Sequence, residues 1–267
     1  MKKKKKNLFA RIYLLFIILF FYLPIIYVIV FSFNSSKSLS NFTGFSLQWY
    51  EAMFKNRAMM ESVYYSTVIA VIATVVSTIV GTIAAIGLSK SNRVIKELVN
   101  QANNLPMLNP DIVTAIGLML FFSTLGIKTG FMTMLIAHII FCIPYVMLSI
   151  NPKLRQLDEN IAEAALDLGC TPFQALYKVI IPQIKEGIIS GALVAFMMSF
   201  DDFVISYFTT GPGINNISTY VYSTTKRINP SVNALSSMIV LAVTVILILV
   251  NVVPMLSREG KKNEKTI

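Results

Sequence analysis

Two acidic residues, Asp201 and Asp202, stand side by side inside an otherwise apolar run, Gly187 to Phe208. About 14 residues past Gly187, at about 1.5 Å per residue, they lie roughly 21 Å along a helix, well inside a hydrocarbon layer about 30 Å thick. An acid at that depth costs about 2.5 to 3.5 kcal/mol, so it persists only where it faces water, a partner or a passing cation. The apolar runs hold no lysine or arginine except Arg11 at the first entrance. That favours a polar path over a buried ion pair, with a salt link to a second subunit as the competing reading. Neighbouring carboxylates can share a proton and suit a solute carrying ammonium groups. Phe203, Tyr207 and Phe208 offer ring faces to such cations. Asp111, just after Pro110, is a candidate for the exit of the same path or equally a helix cap.

Other chemistry finds little support. The one histidine, His138, has only Cys142 at a helical spacing, too little for a metal site, and is expected to bond a neighbouring helix instead. Cys142 lies in an apolar run and Cys170 in a polar loop, so no disulfide framework is expected. HExxH and GxSxG are both missing, which speaks against an intramembrane enzyme. GxxxxGK[ST] is missing too, so any ATP must be bound by another chain.

The elements that position these residues are membrane spans. Of 267 residues, 55% are hydrophobic and 13% charged, against about 25% charged in a soluble domain. Apolar runs cover Ile12 to Phe33, Val63 to Leu88, Leu105 to Leu125, Phe131 to Ile150, Gly187 to Phe208 and Leu235 to Leu256. The fold class expected is an all-α integral membrane protein, a bundle of about six transmembrane helices with a cytoplasmic helix between spans four and five. Pro24 is an expected kink in the first span, and Pro106, Asn109 and Pro110 weaken the start of the third. Gly81 with Ala85, and Gly187 with Gly191, have the spacing that lets helix backbones touch.

Orientation follows from the basic residues. Lys2 to Lys6, Arg11, Lys90, Arg93, Lys96, Lys153, Arg155, Lys178, Lys185, Arg258, Lys261, Lys262 and Lys265, 17 in all, fall on the side of the amino terminus. Six fall on the other: Lys37, Lys55, Arg57, Lys128, Lys226 and Arg227. Both termini are therefore expected in the cytoplasm of a cell-membrane protein. The net charge of +10 sits in short loops without interleaved stacking aromatics, which excludes nucleic acid as the expected partner.

The 36 residues from Asn151 to Glu186 are polar yet patterned for helix. Acidic residues begin at Asp158, Ile161, Ala164, Ala165 and Leu168 form a stripe, and Gly169 suits a left-handed cap. Thr171 caps a second helix that Pro172 starts and Pro182 is expected to stop. With Asp158, Glu159, Glu163 and Asp167 on display, an anionic membrane should repel this segment and a protein groove should receive it.

Here the sequence resembles a family. Glu163-Ala164-Ala165, then Gly169 after three intervening residues, then Val179, Ile180, Ile181 and Pro182 after nine more, resemble the EAA signature of type I ABC importer permeases, with valine and isoleucine in place of isoleucine and leucine. Asn109-Pro110-Asp111, Ala137-His138, Ser199-Phe200-Asp201-Asp202-Phe203 and Phe208-Thr209-Thr210-Gly211-Pro212-Gly213 are similar to the PotC-type permeases of spermidine/putrescine importers. The resemblance implies a transport subunit and no enzyme. It implies coupling through Glu163, Ala164, Ala165, Gly169 and Pro182; the substrate path by Asp201, Asp202, Phe203, Tyr207 and Asp111 is the expectation from the residues themselves given above. The implied partners are a second permease, two copies of an ATPase that binds ATP and magnesium, an external polyamine-binding protein and the bilayer; no cofactor or metal is expected in this chain. The organisation expected is 1-62 for the lysine-rich start, first span and external loop, 63-256 for the permease domain with its EAA loop near 151-186, and 257-267 for a cytoplasmic tail. The rivals are a permease of the same architecture for another cationic or amino-acid solute, and an ATP-independent channel or secondary transporter.

Overall fold

The structure, a computed structural model, describes residues 2–158, 160–224 and 229–263. Glu159, Lys226, Arg227 and Lys265 lie outside the described residues. Twelve helices follow in order: α1 (Lys2–Ser32), α2 (Gln48–Lys55), α3 (Arg57–Ser89), α4 (Arg93–Leu108), α5 (Asp111–Thr124), α6 (Phe131–Arg155), α7 (Ile161–Asp167), α8 (Pro172–Ala175), α9 (Ile181–Phe200), α10 (Val204–Thr209), α11 (Ile217–Thr224) and α12 (Pro230–Asn263). The chain divides into two units, one of residues 1–60 with 223–267 and one of residues 61–222.

In the first unit α12 packs against α1 and α2. The loop before α2 is built around Asn34, which is fully buried. Its amide donates to the carbonyls of Ser38 (2.9 Å) and Asn41 (2.8 Å), its Oδ1 accepts from the Thr43 N–H (2.8 Å), and its own carbonyl accepts from Trp49 Nε1 (2.6 Å). Pro24 lies within α1 without ending it.

In the second unit, α6 and α9 form the centre, and small residues let them meet. A Cβ on Gly191 would stand 3.2 Å from Val146 Cα, and one on Gly187 would stand 3.1 Å from the Ser149 carbonyl oxygen. On α3, Gly81 has Val146 Cγ1 only 2.8 Å from where its Cβ would be. The small-residue spacings thus mark backbone contacts, because no larger side chain fits. Ala85, Ala137, Phe141, Cys142, Val146 and Ile184 fill the core between these helices.

Four helices are long and apolar enough to cross a membrane among the described residues: Phe9–Ser32, Arg57–Ser89, Phe131–Arg155 and Pro172–Phe200. A bent pair, α4 with α5, would make a fifth, and α12 contributes the shorter apolar stretch Pro230–Val245. Three expectations need correction. The third span does not run unbroken from Leu105, because α4 and α5 meet at 107° across Asn109 and Pro110. Asn109 is extended (ψ 146°), the conformation that a following proline favours. Pro182 does not stop the second loop helix. A π-helical segment, Leu176–Ile180, joins α8 to α9, and the Ile181 N–H bonds back five residues to Leu176. That wider turn leads into α9 with Pro182 in its first turn, where a missing N–H is tolerated. The fifth span does not continue to Phe208, since α9 ends at Phe200 and α10 begins only at Val204.

Candidate functional site

The break between α9 and α10 falls on the acidic pair, and the two carboxylates have different surroundings. Asp202 is nearly buried, its side chain 8% exposed. Its carboxylate accepts from the Ser206 N–H (2.7 Å), the Ser206 hydroxyl (2.9 Å) and the Ile205 N–H (3.3 Å). It thereby caps α10, satisfying amide groups that a helix start leaves without partners.

Around that cap lies a closed polar cluster. His138 of α6, 1% exposed, has Nδ1 2.7 Å from Ser199 Oγ on α9, Nε2 3.0 Å from Ser206 Oγ on α10, and Nε2 3.5 Å from Asp202 Oδ2. Asn216, also 1% exposed, donates from Nδ2 to the Asp202 carbonyl (2.5 Å) and to Ser206 Oγ (2.8 Å). The Asn216 Oδ1 accepts from the Thr219 N–H (2.8 Å), capping α11. Ser206 has one hydroxyl proton, which goes to Asp202, so its oxygen accepts from both Asn216 and His138. His138 then carries its proton on Nε2 and accepts at Nδ1 from Ser199. At its far end α10 is held again by α6, where the Thr133 hydroxyl reaches the Thr209 carbonyl at 2.8 Å. Removing any member strands another in a low-dielectric interior, at about 1–3 kcal/mol for each buried group left unmade.

Asp201 is held differently. Its backbone is fixed, with its N–H on the Met197 carbonyl and its own carbonyl accepting from Ser218 Oγ at 3.0 Å. The residue itself is exposed. Phe203 and Tyr207, two and six residues on, form a ring cluster with Tyr222: Phe203 to Tyr222 at 4.9 Å, Phe203 to Tyr207 at 5.5 Å and Tyr207 to Tyr222 at 5.9 Å. Phe208 stands 5.4 Å from Tyr207. Tyr207 and Tyr222 are more than half exposed, so their faces are open.

Sequence reasoning singled out Asp201, Asp202, Phe203 and Tyr207, and these do come together. It missed Ser199, Ser206, Asn216 and Tyr222; His138, expected to bond a neighbouring helix, bonds two, through Ser199 and Ser206. The available signal was that a buried histidine among apolar neighbours needs partners for both nitrogens. Asp111 begins α5 and is exposed, and it shares no hydrogen bond with the acidic pair. No group of histidine, cysteine, aspartate and glutamate among the described residues has the arrangement to hold a metal ion.

The loop with the Glu163 motif is a second candidate surface. Asp158 opens it, its Oδ1 accepting from the Asn160 N–H at 3.0 Å. Gly169 has φ +84° and nothing within 4 Å of a would-be Cβ, so glycine is required there by the backbone and not by space. Thr171 and Gln174 cap α8 reciprocally. Of the expected apolar stripe, Ala165 is buried and Ile161 half-buried, whereas Ala164 is exposed and Leu168 is 87% exposed. On α7, Ala162 packs against the core of the bundle and Ala165 is buried, while Leu168, the residue just after the helix, is left outside. Leu166, Phe173 and Tyr177 in the same stretch of chain are exposed as well. Glu163 and Pro182 are also exposed.

Known proteins are similar to this chain over most of its length. Residues 77–259 match the family described as "Binding-protein-dependent transport system inner membrane component". The chain is 36% identical over 240 residues to the putrescine transport system permease protein PotI of Escherichia coli (strain K12), covering 85% of this chain and 84% of that one. It is 34% identical over 230 residues to the spermidine/putrescine transport system permease protein PotC of the same strain, covering 86% and 87%. Among solved structures, a chain of a bacterial ABC transporter involved in the import of the acidic polysaccharide alginate superposes with TM-score 0.75 at 16% identity, covering 96% of this chain and 97% of that one. At that identity the likeness speaks for the fold alone.

Proposed function

The chain belongs to the family of binding-protein-dependent transport system inner membrane components, and on that premise we propose that it is a polyamine-conducting permease subunit of an ATP-driven importer. It is a multi-pass membrane transport subunit and not an enzyme, as its relatives are. The observation that carries the solute class is Asp201, an exposed residue at a helix break two positions before Phe203, whose ring packs with the half-exposed Tyr207 and Tyr222. A carboxylate with aromatic faces takes up an alkylammonium through charge and cation–π contact, and both PotI and PotC are named for putrescine. Asp202 serves as the cap that fixes the break, leaving Asp201 to face the solute.

Coupling is assigned to the second surface. The exposed side chains of Leu166, Leu168, Phe173 and Tyr177, in the same segment as the exposed Glu163, are apolar groups that a groove on a separate ATPase would cover. The further partners are a second permease, two ATPase copies and an external binding protein; one structural neighbour is described in complex with a substrate-bound periplasmic protein. Both termini are assigned to the cytoplasm by the distribution of basic residues.

The ring cluster supplies the test. In the assembled transporter, Tyr222→Ala and Phe203→Leu should each raise the polyamine-loaded binding-protein concentration giving half-maximal ATP hydrolysis by about 2–30-fold, the range that 0.5–2 kcal/mol of cation–π contact implies. Unchanged half-maximal concentrations in both variants would remove the rings from the path.

A further inference from the structure

A cavity of about 520 Å³ opens where α3 and α6 end and α4 and α7 begin. Lys90, Lys96 and Arg155 line it, with the amides of Asn100 and Asn151. Two carboxylates, Asp158 and Glu163, share the lining, yet neither forms a salt bridge with any of the three cations among the described residues. Asp158 is engaged instead by the Asn160 N–H. By contrast Lys153, close by in sequence but outside the lining, is paired with Glu186 at 2.5 Å. The lining thus holds three cations against two carboxylates, a net charge of +1 with the cations unpaired at contact distance, and an anion that enters among the three cations is attracted by all of them.

From this we propose that the cavity binds a phosphate group, held by Lys90, Lys96 and Arg155 with amide donors from Asn100 and Asn151. Phosphate offers several acceptor oxygens and at least one full charge, which matches a guanidinium fork, two ammonium groups and two amides. Lys90 immediately follows α3, and Arg155 is the last residue of α6, so these two cations stand at the ends of two membrane-crossing helices, the level of phospholipid headgroups, with Lys96 on α4 facing the same cavity. Ile86, Leu88 and Leu154 supply an apolar wall of the same cavity. A phospholipid headgroup and a soluble phosphate share the recognised chemistry. Because Asn160, Ile161 and Glu163 form another wall, the occupant touches the segment that carries the Glu163 motif. This site is independent of which solute is transported, and binding is measured without transport.

The experiment uses the assembled transporter, delipidated in detergent, with two probes: dioleoylphosphatidylglycerol followed by native mass spectrometry, and inorganic phosphate followed by thermal stability. The triple variant Lys90→Gln, Lys96→Gln, Arg155→Gln should bind at least about tenfold more weakly, the loss expected from removing charge-assisted bonds. Lys153→Gln should leave binding as it is. If the triple variant does not assemble, each single substitution is measured instead and should weaken binding in part. Weakened binding of the lipid alone assigns the phosphate to a headgroup, and weakened binding of both assigns a site that accepts phosphate from either source. Equal binding of both probes by wild type and variants overturns the proposal.

Discussion

Replacing Asn216 by alanine should unpin the broken span. Its side chain makes four hydrogen bonds of 2.5 to 2.8 Å, to the Asp202 carbonyl, Ser206 Oγ, the Thr219 N–H and the Thr219 hydroxyl. Ser206 keeps His138 and Asp202 as partners, and the Thr219 hydroxyl keeps the Asn216 carbonyl. Two buried backbone groups, the Asp202 carbonyl and the Thr219 N–H, lose their partner. At about 1–3 kcal/mol for each of the two, the loss is about 2–6 kcal/mol. On the scale of soluble domains of about 150–250 residues, where each kcal/mol moves the thermal midpoint by about 2–4 °C, that lowers it by roughly 4–24 °C. The assay is the unfolding midpoint of the purified transporter, alongside uptake of labelled putrescine. Asn216→Asp separates the two halves of the role: it keeps an acceptor for Thr219 but loses both donors and adds a carboxylate next to Asp202, so it should be at least as harmful. A midpoint and uptake unchanged in Asn216→Ala would refute the claim that this cluster holds the break.

An impermeant thiol reagent should leave Cys170 unmodified in intact cells and modify it in inside-out vesicles lacking the ATPase, while buried Cys142 resists both; labelling of Cys170 from outside would reverse the topology. Gly169→Val should abolish transport with the protein still in the membrane, because a non-glycine residue in the left-handed region costs about 1–2 kcal/mol and a β-branched one more. Gly169→Asn, which tolerates that region, should retain much of the activity. Equal uptake by the valine and asparagine variants would mean the turn does not matter.

Local features of this chain were legible because they depend on neighbours in sequence. The left-handed Gly169 and the Thr171–Pro172 helix start follow from backbone preference, and the Gly187–Gly191 contact from side-chain size. The bend at Asn109–Pro110 had a visible cause, yet an apolar run continuing across it disguised two helices as one. Pro182 was misleading because a π turn can absorb a proline, and nothing in residue type announces such a turn. The stripe around Ala164 gave a helical period but not its orientation, which the packing of Ala162 and Ala165 on the bundle decides. The role of Asp202 was hidden most deeply. His138 and Asn216 lie far from it or beyond the next turn in sequence, and only the fold brings them to one point.

The division of labour between the two acids is the central claim, and ATP-driven uptake tests it most directly. Proteoliposomes holding this chain with its second permease, ATPase and external binding protein should take up labelled putrescine and spermidine only when ATP is supplied. Asp201→Asn should leave the complex assembled and thermally stable, since its side chain caps nothing, yet reduce uptake at least about tenfold, the loss of one charge-assisted contact. Asp202→Asn should lower stability as well as uptake. Undiminished uptake by an intact Asp201→Asn complex, or uptake that proceeds equally without ATP, would contradict the account.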